Sequence, residues 1–471
     1  MSDARESNPS EGLKPVTRRR FMRRTAAVGA TIGAGGLLAA CGDDNNSSGS
    51  TGSGSTAKAT TAAAATGVGA QLQKILGKPT NILAKGPGTL AVAGQFALTG
   101  QGSVYGDLQS NGWKYGAKHV EAWTGGKLKF DTTFYDNKSG LPQAEAAAGR
   151  QAGIKDVPVL INSYIFGFGA ILPFAKQYKM FCPDPGGGAG PIPGPFASQP
   201  YCYGFRASYP TDCLDGMFKY LREKFPDKKK WATVQPVIGP PYNNAVANYC
   251  KKLYAQYNID HVGEQLAPLG ATNYSSTVQK IKQLNPDVII WSTFGTDVAY
   301  QAKEIQRQGM GATINGTVDF NPTLSKLAGP AIKDWYFGFD YLNTTDPPSD
   351  WSKFFIDEWG KDNNGDLPSF YHAGDYVTAF AVARLVDRIL AKGGDIKDGD
   401  AYITALEEDP SFPHVYGGSG STLGQIIIDP KTHSPKAIPM LAFQSMGTGD
   451  VKDIKPLATY DIKAADYKTI S

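Results

Sequence analysis

The chain has 471 residues, 41% of them hydrophobic and 11% aromatic, with 47 Lys+Arg against 43 Asp+Glu and a formal charge of +4. The surplus sits at the start: Arg5, Lys14, Arg18, Arg19, Arg20, Arg23 and Arg24 face only Asp3, Glu6 and Glu11 within residues 1–40, and the rest of the chain carries equal numbers of basic and acidic groups. A body without net charge lacks the clustered Lys/Arg that displaces phosphate counterions, so nucleic acid is excluded as a partner, and its apolar content excludes wholesale disorder.

Thr17-Arg18-Arg19-Arg20-Phe21-Met22-Arg23 resembles a twin-arginine export motif. The Ala/Gly-rich apolar run that follows, to Ala40, is shorter than the ~20 residues of a spanning helix. Leu38-Ala39-Ala40-Cys41 resembles a bacterial lipobox, which implies cleavage before Cys41 and lipidation of its thiol. Residues 1–40 therefore read as a signal peptide. Residues 41–85, rich in Gly, Ser, Thr and Ala, read as a flexible tether that cannot bury enough apolar surface to order itself.

Strand character is predicted at Thr89–Gln95, Phe130–Tyr135, Val157–Ile161, Trp231–Val237, Asp287–Ser292 and Thr313–Gly316. Helical periodicity is predicted at Gly106–Thr124, Pro142–Ile154, Pro210–Lys224, Asn243–Tyr257, Tyr274–Leu284, Thr296–Gly309 and Tyr371–Lys392. In the last, Tyr376, Phe380, Val382, Leu385 and Ile389 mark a buried face, and Asp375 and Asp387 read as lone helix acids. Alternating strands and helices give an α/β fold with parallel sheets. Two late strands, Ile426–Asp429 and Ile438–Phe443, flank a predicted turn at Pro430–Pro435. Cys182, Cys202, Cys213 and Cys250 allow three disulfide pairings, of which Cys182 with Cys202 is preferred because both flank one Gly/Pro-rich excursion; the alternative is free buried thiols, since a twin-arginine substrate folds in the reducing cytoplasm.

The five histidines are scattered without H-E-x-x-H spacing, the cysteines lack C-x-x-C spacing, and no G-x-S-x-G elbow is present. These patterns give no catalytic centre, no metal and no cofactor.

The order of several motifs resembles the branched-chain amino-acid-binding (leucine-binding) family of solute receptors for ABC importers. They are Ala97-Leu98-Thr99-Gly100 leading to Tyr105-Gly106 before a long helix, Phe134-Tyr135-Asp136-Asn137 before Pro142-Gln143-Ala144, and Asn285-Pro286-Asp287 before a strand. The resemblance spans about Thr89 to Leu457. It implies a type 1 periplasmic binding protein of two Rossmann-like lobes joined by a three-segment hinge. Lobe 1 would hold residues 86–206 and 336–435, lobe 2 residues 207–335 and 436–471, with crossings near Arg206, Trp335 and Pro435. It further implies a monomer that captures a small molecule in the interlobe cleft and delivers it to an ABC permease, held at the membrane by its N-terminal lipid on the outer face. The other reading is a ligand sensor that signals to a membrane receptor.

Carried over by position, the cleft aromatics are Tyr105, Tyr242, Phe294 and Tyr371. Asp319 is the candidate partner of a ligand ammonium, with Thr317 the alternative at that position. Where the family has a Ser/Thr-rich carboxylate clamp, this chain has Ser163 followed by Tyr164, Ile165 and Phe166. The next clamp segment offers only backbone N–H groups, around Gly186 and Gly187. This departure favours a ligand larger or more apolar than leucine, such as an aromatic or other organic acid.

Overall fold

The computed structural model describes residues 67–163, 170–186, 200–206, 211–340, 342–416, 424–431, 433–437, 439–450, 452, 454–461 and 467–469. The export motif at Arg18 and Arg19, the lipidation site Cys41, and Tyr164, Ile165, Phe166 and Gly187 lie outside the described residues.

The last part of the expected tether is ordered. Helices α1 (Val68–Leu76) and α2 (Thr80–Lys85) pack onto the body, with Leu72 and Ile82 fully buried. Leu72, Ile75 and Leu76 share one helical face, which supplies the apolar surface that the small-residue composition conceals. Trp123 Nε1 donates to Gly77 O at 2.8 Å, and Asp387 Oδ1 accepts the Asn81 and Ile82 N–H groups at 2.9 Å each.

Lobe 1 opens with β1 (Gly88–Phe96), α3 (Ser103–Trp123), β2 (Leu128–Asp136), α4 (Pro142–Ile154), β3 (Val159–Asn162), α5 (Leu172–Tyr178), β4 (Cys182–Asp184) and β5 (Cys202–Gly204). β1 lies between β2 and β3, both parallel to it. A parallel bridge from Val159 to Phe181 extends the order to β4, which pairs with β5. The run Val-Leu-Ile-Asn in β3 is buried at every position, as a parallel strand covered on both faces requires.

Lobe 2 follows with α6 (Thr211–Lys224), β6 (Lys230–Pro236), α7 (Pro240–Gln256), β7 (Asp260–Ala267), α8 (Ser275–Gln283), β8 (Val288–Trp291), α9 (Thr296–Arg307), β9 (Ile314–Thr317), α10 (Pro322–Ala328) and β10 (Tyr336–Asp340). The chain then returns to lobe 1 with α11 (Asp350–Asp362), α12 (Phe370–Ala391), α13 (Gly399–Glu408) and a small antiparallel sheet of β11 (Ser411–Pro413), β12 (Gln425–Asp429) and β13 (Ser434–Ala437). β14 (Pro439–Ser445), β15 (Ile454–Asp461) and β16 (Tyr467–Thr469) complete the lobe 2 sheet, ordered β16-β15-β14-β10-β9-β8-β6-β7.

Two sequence expectations change here. β10 pairs with β9 and β14, so Tyr336–Asp340 belongs to the lobe 2 sheet and the crossing expected near Trp335 falls beyond Asp340. The two late strands do not form one hairpin: β12 pairs with β11 and β13, and β13 occupies much of the predicted turn, while β14 joins the larger sheet.

Helices α3 and α12 pack directly against each other in lobe 1. A Cβ at Gly112 would lie 2.3 Å from His372 O, and one at Gly116 2.8 Å from Tyr376 O, so the two backbones touch. Ser369 caps α12 by accepting the His372 N–H, and its own N–H donates to His372 Nδ1 at 3.0 Å. This fixes the first turn, which carries Tyr371.

Candidate functional site

β1, β2 and β3 of lobe 1, and β6 to β10 of lobe 2, run parallel within their sheets, and the loops and helix starts that follow them carry the polar groups. After β1, Leu98 and Thr99 donate backbone N–H groups to Asp136 Oδ1, both at 3.1 Å, which pins the loop leading into α3. A Cβ at Gly106 would lie 2.1 Å from Ala97 O, so only glycine lets α3 start this close to β1. The result is a fixed Tyr105, 2% exposed, aimed toward lobe 2.

There it meets Asp319, which follows β9 and is fully buried. The Tyr105 hydroxyl donates to Asp319 Oδ2, the Tyr371 hydroxyl to Oδ1 at 2.9 Å, and the Gly295 N–H to Oδ2 at 2.5 Å. Gly295 caps α9 at φ 68°, and a Cβ there would sit 3.2 Å from the Tyr105 hydroxyl. Burial pushes the Asp319 carboxyl up, while hydrogen bonds from Tyr105, Gly295 and Tyr371, and the charge of Arg206, pull it down. The rings of Tyr105 and Tyr371 meet edge to face, 4.9 Å between centroids. One lobe 2 carboxylate is thus held by two lobe 1 hydroxyls and by an amide of its own lobe.

Arg206, 4% exposed at the first crossing, lies with its guanidinium 5.1 Å over the Tyr371 ring and donates to Gly186 O at 3.3 Å. The Gly186 N–H in turn donates to Asp184 Oδ1 at 2.8 Å, so this amide of the expected anion clamp serves a carboxylate of the protein itself. Ser163, the one hydroxyl expected in the clamp, is buried and donates to Gln109 Oε1 on α3, while its carbonyl accepts from Asn137 Nδ2 at 2.7 Å.

The structure therefore brings Tyr105, Tyr371, Asp319 and, through Gly295, the neighbouring Phe294 to one junction, with Gly186 next to it through Arg206. Phe294 is buried where β8 leads into α9. Tyr242 stands half-buried in the first turn of α7. A pocket lined by Phe320, Asn321, Pro322, Ser369 and Phe370 opens beside it.

Cys182 and Cys202 are in-register neighbours on β4 and β5, but both are thiols: Cys182 Sγ is turned toward Met180 O at 3.3 Å, and the bridge is not formed. The hydrogen bond with Cys182, then burial, pushes the Cys202 thiol up. Cys213 and Cys250 are likewise buried thiols.

Sequence reasoning missed Arg206 as a site residue, along with Asp184 and Asp375. Asp375, fully buried, lies one turn beyond Tyr371 on α12. The available signal was that spacing of four residues, which sets both side chains on one helix face.

Among curated proteins no sequence matches this chain. Solved structures of the same fold are numerous. The amino acid ABC transporter substrate-binding protein of Pseudomonas fluorescens has a TM-score of 0.67 at 16% identity, covering 79% of this chain and 96% of its own. A solute-binding protein of an ABC transporter from Rhodopseudomonas palustris, in complex with p-hydroxybenzoic acid, has a TM-score of 0.65 at 18% identity, covering 80% and 98%. The branched-chain amino acid transporter substrate-binding protein of Streptococcus pneumoniae, in complex with isoleucine, has a TM-score of 0.63 at 19% identity, covering 78% and 99%. The family model described as periplasmic binding protein matches residues 89–437, which takes in both lobes and every member of the Tyr105–Asp319–Tyr371 junction. By that match and by its two-lobed architecture, the chain belongs to the periplasmic binding protein family.

Proposed function

We propose that the protein is an exported, lipid-anchored solute receptor that captures a small molecule between its lobes and hands it to an ABC importer. The observation that carries the reading is the Asp319 carboxylate of lobe 2, reached by the Tyr105 and Tyr371 hydroxyls of lobe 1. Such groups meet only when the lobes approach, so a ligand seated among them gains contacts that the separated lobes do not offer. Its binding then shifts the hinge equilibrium. The ligand class is an amino acid or a more apolar or aromatic organic acid. Similarity to receptors solved with isoleucine and with p-hydroxybenzoic acid supports that range.

Export by the twin-arginine route and lipidation of Cys41 belong to the same proposal and rest on Arg18, Arg19 and the Leu38–Cys41 motif. Mass spectrometry of the natively produced protein tests both parts at once. A co-purifying small molecule and a diacylglyceryl group on Cys41 are the expected results. A protein that binds no solute from extracts or from defined amino acids and organic acids refutes the receptor reading. An intact N-terminus in exported cells refutes the anchor.

A further inference from the structure

A second row of polar groups lies at the carboxyl ends of the lobe 1 strands. Gln95 of β1 is in register with Asn162 of β3, and Gln95 Nε2 donates to Asn162 Oδ1 at 2.9 Å. The parallel bridge from Val159 to Phe181 carries that register onto β4, which sets Asp184 beside Asn162. Helix α12 covers this region with Asp375; a Cβ on the adjacent Gly374 would lie 3.4 Å from Pro185 O, so the helix presses on the turn after Asp184. All four side chains are fully buried.

Gln95 Oε1, Asn162 Nδ2 and both carboxyl oxygens of Asp375 have no hydrogen-bond partner. Buried polar atoms in folded proteins are seldom left so, and three of these four are acceptors, whose bonding a hydrogen-bond donor on a guest would complete. The charges indicate what kind of guest. Asp319 and Asp375 both feel the Arg206 guanidinium, Asp375 also feels the Asp184 carboxyl, and among the described residues no group of three or more His, Cys, Asp or Glu side chains is set to hold a metal ion. A ligand anion placed here would add to a carboxyl surplus, whereas a ligand cation would relieve it. Burial and the charge of Asp184 push the Asp375 carboxyl well above its usual range, against the pull of Arg206.

We propose that this row is the deep end of the ligand cleft and receives a protonated nitrogen of the ligand, an amine, amidine or guanidine, paired with Asp375 and Asp184 and accepted by Gln95 Oε1. The proposal rests on the solute-receptor reading and narrows its ligand class to nitrogen cations. Tyr371, whose ring already faces the Arg206 guanidinium, would close over the same group.

The test is calorimetric titration of the refolded, ligand-stripped full chain with L-arginine, L-lysine, agmatine, putrescine and L-leucine, beside adipate and 4-hydroxybenzoate. Binding of a nitrogen-bearing probe, weakened at least tenfold by D375N, is expected. D184N is the second variant should D375N not fold, with the same loss expected. Tighter binding of adipate or 4-hydroxybenzoate than of every nitrogen probe overturns the proposal, as does a nitrogen probe whose affinity neither variant changes. Those outcomes leave the receptor reading intact. If neither these probes nor any co-purified molecule binds, the receptor reading fails and this proposal fails with it.

Discussion

Replacing Tyr371 by Phe removes the bond that its hydroxyl makes across to Asp319. The ring, its edge-to-face contact with Tyr105 and the packing of α12 stay, while the 2.9 Å bond from the hydroxyl to Asp319 Oδ1 is lost. A hydrogen bond to a charged group contributes about 1.5–3 kcal/mol. With ~1.4 kcal/mol for each factor of ten, the population with lobes joined should fall roughly 10- to 100-fold relative to the separated form. Spin labels at Ile154→Cys and Val237→Cys, both exposed and on different lobes, report that population as a distance distribution. A longer distance in Y371F than in its parent, restored in part by ligand, is the expected result. Distance distributions that superimpose, together with an unchanged unfolding midpoint, would show that Asp319 does not tie the lobes, and the functional reading would lose its main support.

Three further outcomes follow from buried groups. Glu145, fully buried in the first turn of α4 with neither carboxyl oxygen hydrogen-bonded, has its pKa raised by burial from 4.5 to about 8. Its contribution is complete below pH 4.5 and lost as pH rises toward 8, so at pH 7 about 2.5 units at 1.36 kcal/mol, or ~3 kcal/mol, is forfeited; E145Q should be more stable than its parent at pH 7 and equal to it at pH 4 in urea titrations. Burial lowers His119 to about 4 and His372 and His414 to about 3. These three favour folding above the unfolded value of ~6.5 and lose that effect as pH falls toward 4, so the melting temperature should drop across that window, and a flat profile in the H119F variant's parent would refute the assignment. Gly112→Val places side-chain atoms where α3 meets His372 O, and a loss of about 1–3 kcal/mol by overpacking is expected in chemical denaturation; wild-type stability would mean that α3 and α12 are not in backbone contact.

The fold was legible because its signals are long. The helix at Pro142–Ile154 is found where its Pro start and small-residue face predict it, and β6, β8 and β9 lie within a residue or so of their apolar runs. Short or weakly patterned elements were not legible. β4 and β5 have three residues each and pair across a long excursion, so Cys-Pro-Asp and Cys-Tyr-Gly carry no period to read. β10 was missed because its partners β9 and β14 come from distant parts of the chain. The helices at Val68–Leu76 and Thr80–Lys85 were hidden by composition: a few apolar residues on one face suffice once Trp123 and Asp387 are there to dock them, and neither lies nearby in sequence.

The site divides along the same line. Tyr105, Asp319 and Tyr371 could be named because each sits next to a motif with a fixed place in the fold, and the structure joins them. Asp375 could not, since in a helix buried along nearly its whole length the apolar period drowns a single acid, and a helix acid is ordinarily solvated. Net charge misled in a similar way. A body with balanced Lys/Arg and Asp/Glu has no strong field to steer a ligand, yet the balance is global. Its surface ion pairs, such as Lys118–Asp362 and Lys353–Asp357, cancel one another in solvent and contribute little. Asp319 and Asp375, both fully buried, lie in the field of the Arg206 guanidinium, and Asp184 adds its charge at Asp375. Under the proposed reading, selectivity is decided by buried groups that the overall composition averages away, and the two substitutions that keep shape while removing charge, D375N and D184N, isolate that effect from packing.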